Sequence, residues 1–423
     1  MRKPLLASAI ALLLPASVGQ AASVTWWNWD PDATRADFAP AIAAFTRDTG
    51  IDVHIEHVDW SAFPETLRAA LADGKAPDVV SVSSAWFPSL AAEGAFADLM
   101  PLISATKGYD FNDIFAASYQ LWQYDLRQYA MPLDNDVAAL FYNKTLLASA
   151  GLVEPGNAFD WGGLLTDVQK LTRDQNGDGR FDQYGYSSYW SDWIPFVWAA
   201  GGQLFDHAGN LTLNTPQAAA ALSFYAQLYP AQTHGLITNT DAAKLGYKSP
   251  ADAWSAGVVG FAPAGSWMPE YWIYDAAKAK YRFDFDVANM PLSPTGKRAT
   301  TIGGQGVAIL AASAHPDLAW RLLQYLADTN YQKLAAEHGQ FPVRRSVAVS
   351  AAFLQPDRPP KHKATFIGAA AEYARPLPAF SWWPKAYAAL NGQLARYFGG
   401  NTALADAVAA AGEQIDALRR PAN

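Results

Sequence analysis

The most informative absence from this sequence of 423 residues is cysteine, of which there is none. Without cysteine the protein forms no disulfide bonds, and it has no residue at a processed N-terminus to carry a lipid anchor. Its stability must therefore come from packed hydrophobic cores. A chain of this length exceeds what one core usually supports, so we expect two domains.

Charge is also scarce. Charged residues make up 17% of the chain and hydrophobic residues 51%, a composition typical of folded globular proteins. The formal net charge of −8 becomes more negative if Arg2 and Lys3 are removed by processing. Phosphate backbones and anionic lipids repel a negative protein, so we expect neither nucleic acid nor a membrane surface as a partner.

Long apolar runs are missing except for one short run near the N-terminus. Arg2 and Lys3 precede the apolar stretch 5–14, Pro15 interrupts it, and small residues follow at 19–21. This is the pattern of a secretory signal peptide over 1–21, cleaved near Ala21. The apolar stretch has about half the length that a membrane-spanning helix needs. We therefore expect a periplasmic protein, with full secretion as the alternative.

Motifs of catalysis and cofactor binding are missing as well. The sequence contains no P-loop, no dinucleotide-binding fingerprint and no Gly-x-Ser-x-Gly elbow, and its seven histidines show no metal-binding spacing. The glycine-rich stretch 303–306 precedes a strand-like segment, whereas a phosphate-binding loop precedes a helix. We therefore expect no catalytic residues, no catalytic cofactor and no enzyme activity.

Aromatic residues, in contrast, are abundant: the chain has 16 Trp beside 19 Tyr and 21 Phe. Leu and Ile fill cores without bringing an indole N–H that needs a hydrogen-bond partner. Most of these rings will still be core residues. The surplus is typical of a surface that stacks on sugar rings.

The order of strand-like and helix-like segments from Val24 onward predicts an α/β fold with mainly parallel sheets flanked by helices. Two predicted strands, 24–27 and 78–82, are followed by polar and aromatic loops at 28–30 and 83–86. Because ligands bind such sheets outside the carboxyl ends of the strands, these loops are candidate ligand contacts.

A third polar loop lies at 134–136. It follows Pro132 and precedes an apolar, strand-like run, so we interpret it as the place where the chain crosses from one lobe into a second. Small-molecule sites often lie in such a cleft between lobes. The alternative for Asp134 and Asp136 is an Asx turn that only shapes the crossing.

With these segments in place, the chain resembles the family 1 extracellular solute-binding proteins, a group that includes maltose- and trehalose/maltose-binding proteins of ABC importers. The resemblance extends along the mature chain and is carried by six short motifs in the family's order: 77–80, 131–134, 141–144, 265–267, 303–309 and 341–344. It implies a hinged fold of two lobes with a sugar between them, docking onto a membrane permease, and no catalysis. We expect lobe I to comprise 22–132 and 289–342, and lobe II 133–288 and 343–423.

The resemblance also implies a set of ligand-binding residues. For the tryptophans the alternative is core packing, and for Arg344 it is a surface ion pair. The expected ligand-binding residues are Asn28, Trp29, Asp30, Ser83, Ser84, Trp86, Asp134, Asn135, Asp136, Trp193, Ser266, Trp267, Gly304, Gln305, Arg344, Trp382 and Trp383.

A separate loop at 174–183 matches the first part of a calcium-binding loop. Acidic and amide side chains occupy its positions 1, 3, 5 and 9, but position 12 is Gly185, so the bidentate Glu of an EF-hand is missing. A solvated turn is the alternative to a structural Ca²⁺. The pattern gives Asp174, Asn176 and Asp178 as expected ligands, and the resemblance to sugar-binding proteins implies that Arg180 (through its carbonyl), Asp182 and Gln183 complete the set.

Together these features predict the periplasmic binding component of an ABC importer, a monomer that binds a neutral oligosaccharide of the maltose or trehalose type. A sugar offers C–H faces to aromatic rings and hydroxyls to carboxylates, which accept charge-assisted hydrogen bonds. A secreted glycoside hydrolase would use the same residue types, but needs two carboxylates flanking one bond. A protein for sugar phosphates or sugar acids would need cations in the cleft, and only Arg344 and Arg298 are candidates.

Overall fold

Two β-sheets, one in each lobe, organise the computed structural model, which describes residues 22–30, 37–188, 192–206, 208–229 and 235–419. The predicted signal peptide, 1–21, lies outside the described residues. In chain order the strands are β1 Ser23–Asn28, β2 Asp52–His57, β3 Val79–Ser83, β4 Gln123–Tyr124, β5 Arg127–Gln128, β6 Ala130–Pro132, β7 Asp136–Asn143, β8 Tyr184–Ser187, β9 Leu236–Ile237, β10 Val259–Gly265, β11 Tyr274–Asp275, β12 Lys280–Tyr281, β13 Phe285–Ala288, β14 Thr300–Gly303, β15 Gln305–Ile309 and β16 Ala374–Pro376.

Helices surround both sheets. A 3-10 helix at Phe111–Asp113 and a π-helical turn at Pro269–Ile273 add to the α-helices. The α-helices are α1 Phe38–Thr49, α2 Phe63–Ala72, α3 Phe87–Ala92, α4 Met100–Ala105, α5 Ala116–Gln120, α6 Lys144–Ser149, α7 Trp161–Leu171, α8 Ile194–Ala199, α9 Pro216–Ala226, α10 Asn239–Lys244, α11 Pro250–Ser255, α12 Pro316–Leu326, α13 Thr329–Glu337, α14 Arg345–Ala348, α15 Ala351–Leu354, α16 Ala364–Glu372, α17 Trp383–Phe398 and α18 Leu404–Arg419.

Local sequence accounts for the ends of many helices. Pro40 is the third residue of α1, within the first turn, where its missing N–H removes no helical hydrogen bond. Gly50 ends the same helix in the left-handed region, with a φ of 71°. Asp160 caps α7 by accepting a hydrogen bond from the N–H of Gly163, as its position before the helix predicts. Of the helices in the described ranges, none is both long and apolar enough to cross a bilayer.

The sheet of lobe I has five strands in the order β2-β1-β3-β15-β6. Strand β1 pairs in parallel with β2 and β3, as the alternation of strands and helices predicts. Strand β15 runs antiparallel to both β3 and β6, because it enters the sheet from the other lobe. The carboxyl ends of β1 and β3 and the amino end of β15 therefore meet at one edge of the sheet.

The sheet of lobe II is mixed, as is that of lobe I, which corrects the prediction of a mainly parallel sheet in each lobe. Its path is β16-β14-β7-β10-β8-β9, and β13 also pairs with β7. Strand β7 is antiparallel to β10, β13 and β14, whereas β10, β8 and β9 run in parallel. The long buried run of β7 leads directly out of the crossing at 134–136, so this strand is the centre of the second lobe.

The assignment of chain segments to lobes also differs from the prediction at one place. Strand β14, Thr300–Gly303, pairs with β7 and β16 in the second sheet, although 289–342 was expected in lobe I. The chain returns to lobe I only at Gly304, between β14 and β15. A Cβ at this glycine would lie 2.6 Å from the carbonyl oxygen of Asp134, so two crossing segments approach here as closely as backbone allows.

Asn135 joins the crossing segments to one another. Its backbone N–H donates to the carbonyl of Phe341 (2.9 Å), and its Nδ2 donates to the carbonyl of Pro342 (2.8 Å). Its Oδ1 accepts from the hydroxyl of Ser118 in lobe I, and its carbonyl accepts from Ser266 Oγ in lobe II (3.0 Å). Asn135 is 1% exposed, so these hydrogen bonds replace water almost completely.

Lys363 is a buried cation that lines the same small cavity as Ser266. It is 5% exposed, its Nζ donates to Oε1 of Gln355 (3.0 Å), and it lies 5.8 Å from the centre of the Phe353 ring. Burial, and secondarily repulsion by Arg358, lowers the pKa of Lys363 to about 8, while Glu270 acts in the opposite direction. The folded protein therefore holds this proton less tightly than the unfolded chain does.

Replacing Asn135 tests the joint. We expect N135A to lower the free energy of unfolding by about 3 kcal/mol, because Ser118 and the Pro342 carbonyl lose a buried partner. Denaturant unfolding monitored by Trp fluorescence measures the change. The control is N157A on the surface, which should change stability by less than about 0.5 kcal/mol. Equal effects of the two substitutions would contradict the role of Asn135.

Replacing Lys363 gives a pH-dependent result. Between pH 8 and 10.5 the Lys363 side chain binds more protons in the unfolded state than in the folded state, so the destabilising contribution of Lys363 decreases as pH rises through this window. K363M removes the cost of a buried charge and should be more stable by up to about 3 kcal/mol at pH 7. This advantage should shrink towards pH 10.5. Denaturant unfolding at several pH values measures the difference in the free energy of unfolding, and K170M at an exposed lysine is the control. A stability advantage of K363M that does not vary with pH would refute the role of the Lys363 charge.

Candidate functional site

The polar loops predicted as ligand contacts meet at the edge of the first sheet. Asn28 ends β1, and its Oδ1 accepts from the backbone N–H of Asp30 (3.0 Å) and from Nε2 of Gln305 (3.3 Å). The same Nε2 donates to Ser81 Oγ (3.0 Å). Asn28 is 1% exposed, and no residue of the described ranges accepts a hydrogen bond from its Nδ2. A buried donor of this kind suits a ligand or a water molecule.

Asp134 and Ser84 complete this polar edge from the crossing side. The Oδ1 of Asp134 accepts from the backbone N–H of Gln305 (2.8 Å), which fixes its carboxylate beside the start of β15. Ser84 exchanges two hydrogen bonds with the backbone of Gly304, at 3.2 and 3.3 Å. Ser83 lies opposite Gln305 in the pairing of β3 with β15. The loops after β1 and β3 are therefore held directly against the crossing.

Aromatic rings form one wall beside these polar groups. The rings of Trp29 and Trp86 meet edge to face, with centres 5.7 Å apart, and Phe63 stacks on Trp86 at 5.4 Å. Trp86 is 7% exposed, and its indole N–H finds no acceptor among the described residues. Trp29 is only partly buried, so its ring keeps a surface that a ligand can cover.

Lobe II supplies a second ring and further polar groups. Trp267 folds back over the end of β10, where a Cβ at Gly265 would lie 1.4 Å from its ring. Only glycine fits at that position, which explains the Gly-Ser-Trp motif physically. Ser266 bonds to Asn135 as described above, and Asp136 begins β7 opposite Gly303. Trp267 is partly buried, like Trp29 in the other lobe.

Tyr271 makes a contact between the lobes that sequence analysis did not predict. Its hydroxyl, on the π-helical turn of lobe II, donates to Oδ1 of Asp30 in lobe I. Asp30 is 7% exposed, so this hydrogen bond lies in a largely dry place between the lobes. The two residues are 241 positions apart, and no spacing in the sequence pairs them.

Three of the predicted tryptophans lie in or against the hydrophobic core of lobe II. In the described part of the chain they make no hydrogen bond or ring contact with the polar and aromatic residues at the edge of the first sheet. Trp193 is 2% exposed and donates from its indole to Asn391 (2.8 Å), and Trp383 is 3% exposed in the same core. Both therefore lie in the packed core, which is the alternative stated for them, and their ligand role stays a prediction. Trp382 is partly buried and stacks on Phe380 at 4.5 Å. Its ligand role stays a prediction.

Arg344 and Asn135 hydrogen-bond to other parts of the protein near the crossing between the lobes, and their ligand role stays a prediction. Arg344 is 4% exposed, and its guanidinium donates to the carbonyls of Ala327 (2.7 Å) and Asp110 (3.0 Å). It also lies 3.6 Å from a carboxylate oxygen of Asp113. Burial raises the pKa of that carboxyl, but the hydrogen bonds from Ser346 and, secondarily, the charge of Arg344 together lower it below its usual value. The side chain of Asn135 is likewise occupied by protein partners.

The loop 174–183 folds around its own carboxylates. Asp174 accepts from the N–H groups of Gly177 and Gly179, both at 2.7 Å, and Asp182 accepts from the N–H of Gln175 at 3.0 Å. Asn176 accepts from the N–H of Asp178, and Asp178 accepts from the N–H of Arg180. The side chain of Gln183 accepts from Gln175 and donates to the Leu171 carbonyl. In the ranges that the structure describes, no three acidic or histidine side chains gather as a metal site.

A cavity of about 540 Å³ lies beside this loop, between it and α10. Its lining combines Asp178 and Asp182 of the loop with Asp241 and Lys244 of the helix. None of the predicted ligand-binding residues lines it. At the edge between the lobes, in contrast, hydrogen bonds, ring contacts and strand pairing bring together most of the residues predicted to bind the ligand.

Comparison with known proteins agrees with this geometry. The family model described as bacterial extracellular solute-binding protein matches residues 18–333. The ABC substrate-binding protein Lmo0181 from Listeria monocytogenes, solved in complex with cycloalternan, has the same fold, with a TM-score of 0.82 at 18% identity over 94% of this chain and 99% of that chain.

Two relatives from Bacillus subtilis (strain 168) are similar in sequence. The maltodextrin-binding protein MdxE is 25% identical over 292 residues, 66% of this chain and 63% of that protein. The galactooligosaccharide-binding protein is 22% identical over 333 residues, 77% of this chain and 74% of that protein. The sheets confirm the expected α/β fold of two lobes, and the match over residues 18–333 places this chain in the family of bacterial extracellular solute-binding proteins.

Proposed function

We propose that the protein is the periplasmic substrate-binding component of an ABC importer and that it binds a neutral oligosaccharide between its lobes. The observation that carries this proposal is the pairing of partly buried tryptophans, Trp29 and Trp267, with the carboxylates of Asp30 and Asp134 at one edge between two sheets. Rings stack on the C–H faces of sugars, and carboxylates accept hydrogen bonds from their hydroxyls.

The mechanism follows from the positions of these groups. Lobe I presents Trp29, Asp30 and the buried donor of Asn28, so an open form already offers both kinds of sugar contact. Closure brings Trp267 and Ser266 of lobe II over the same place. A sugar that contacts both lobes binds the closed form more tightly than the open one, and it shifts the population towards closure by this difference.

The charges in the cleft favour a neutral ligand over a sugar phosphate or sugar acid. Both arginines that the sequence offered for an anion are engaged elsewhere: Arg344 with carbonyls of lobe I, and Arg298 with the carbonyls of Met290 (2.7 Å) and Asn157. Asp30 and Asp134 would repel an anion. The names of the compared proteins support an oligosaccharide as the ligand, although the type of oligosaccharide differs among them. Within this class we propose an α-glucoside of the size of maltose or trehalose.

The same family membership supports the location and the protein partner that we propose. Extracellular solute-binding proteins act outside the cytoplasmic membrane, and a relative from Deinococcus radiodurans is named a probable ABC transporter-binding protein. We therefore propose a periplasmic location and the permease subunits of an importer as the protein partner. We also propose export by the 1–21 signal peptide, a monomeric state and, since the chain has no cysteine, no lipid anchor.

Isothermal titration with maltose, trehalose, maltotriose and a galactooligosaccharide tests the ligand class. We expect one sugar per chain. W267A should weaken its binding by about 2 kcal/mol, roughly thirtyfold in Kd, because the ring from lobe II is lost. The control is W27A, because Trp27 is also partly buried, donates to Glu56 and is not among the predicted ligand-binding residues; it should change Kd much less.

Analysis of the sugar after incubation separates transport from hydrolysis. Unchanged sugar at stoichiometric binding supports a transport component, whereas released products would support the glycoside hydrolase alternative. Binding of glucose 1-phosphate in preference to every neutral sugar would refute the neutral ligand.

Calcium in the loop 174–183 remains a separate proposal. The side chains at positions 1, 3, 5 and 9 supply oxygen atoms of the kind that Ca²⁺ prefers, whereas position 12 is Gly185, a buried residue against the backbone of Val168. Its role would be to hold this surface loop in place. Titration of chelator-treated protein with CaCl₂ should release or absorb heat, and D174N should abolish this signal. No heat of binding in the unsubstituted protein would dispose of the proposal.

A further inference from the structure

The hydrogen bond between Tyr271 and Asp30 connects the two lobes without any ligand. Asp30 follows β1 of the first sheet, and Tyr271 lies on the π-helical turn Pro269–Ile273 that follows β10 of the second sheet. The contact lies on the ligand-facing edge, two strands away from β15 in the first sheet. Adjacent strands are about 4.8 Å apart, so the contact is on the order of 10 Å from the crossing at Gln305.

Both partners are held in position by their own lobe. The backbone N–H of Asp30 donates to Asn28 Oδ1 (3.0 Å), which orients the loop after β1. On the other side, Glu270 is next to Tyr271 and receives a hydrogen bond from Tyr281 (3.1 Å) and an ion pair from Arg358 (2.7 Å). The phenol therefore projects from a turn that is tied to the rest of lobe II, and it loses little further freedom when it bonds to Asp30.

We propose that this pair is a clasp that favours the closed form of the protein before any sugar binds. The bond forms only when the lobes approach, so it stabilises the closed state and contributes nothing to the open state. Its acceptor is a carboxylate, and hydrogen bonds to charged groups are stronger than neutral ones. Since Asp30 is largely buried in the closed form, water competes poorly for this bond.

The clasp lowers the free-energy cost of closing the lobes, and therefore the part of the sugar's binding energy that closure consumes. A protein that is already partly closed without ligand binds its sugar with a smaller conformational cost, and its lobes reopen more slowly. This inference rests on the hinged two-lobe part of the proposed function, and it is independent of which sugar binds. Tyr271 is thus a positioning residue that acts on the equilibrium between the forms.

The test measures closure directly in the sugar-free protein. Because the chain has no cysteine, S61C and A277C introduce one exposed spin-label site in each lobe. Pulsed dipolar spectroscopy then gives the distribution of distances between the labels. We expect Y271F to lower the ratio of closed to open protein about tenfold, as befits the loss of one charge-assisted hydrogen bond. The matched control is Y274F, three residues away, whose ring packs on Tyr281.

A double-mutant cycle identifies the partner. If the bond to Asp30 is responsible, D30N also lowers the closed fraction, and Y271F adds little in the D30N background. Thermal unfolding of each variant shows that the fold is retained. The clasp is overturned if the sugar-free protein has no closed population, if Y271F and Y274F behave alike, or if the two substitutions are additive. Failure of every tested sugar to bind would refute the proposed function and leave this measurement unaffected.

Discussion

The hydrogen bonds of Asn135 are the constraint on which the rest of this structure depends. One buried amide residue bonds to the segment 341–342, to Ser118 of lobe I and to Ser266 of lobe II. An amide in the protein interior costs free energy unless its donors and acceptors are paired. The crossing segments must therefore keep one arrangement relative to one another, and this arrangement brings the loops after β1 and β3 against the start of β15.

The chemistry of the cleft is a consequence of that arrangement. Gln305 is held by its backbone to Asp134 and by its side chain to Asn28 and Ser81, so one residue ties the crossing to the carboxyl ends of two strands. The polar groups are thus fixed in place before a ligand arrives. Fixed acceptors and partly exposed rings suit an uncharged, hydroxylated molecule. The movement of the second lobe then remains, and both the ligand and the clasp favour its closure.

Much of the fold was predictable because it depends on local patterns. Alternating strand and helix segments gave the α/β class, and the loops at 28–30, 83–86 and 134–136 belong to one group, as predicted. The mixed character of both sheets was missed, because strand direction depends on how β15 pairs with β3 and β6, and β7 with β10, β13 and β14, across the chain. The place of β14 was missed for the same reason: it pairs with strands of lobe II, and the chain returns to lobe I only at Gly304.

The individual side chains show where sequence reasoning stops. A motif places Arg344 beside a lobe crossing, but it cannot say that the carbonyls of Ala327 and Asp110 take up the guanidinium. Trp193 and Trp383 look like stacking residues and prove to be core residues, because burial depends on which helices cover them.

The sequence by itself determined the family, the alternation of elements and the loops that carry the polar cleft residues, since these follow from local periodicity and short motifs. Only the tertiary structure decided which residues of those loops remain accessible to a ligand and which hold the lobes together. It also paired Tyr271 with Asp30 across 241 positions. The reason is physical: hydrogen-bond partners and burial are properties of surfaces that meet in space, and distance along the chain does not encode them.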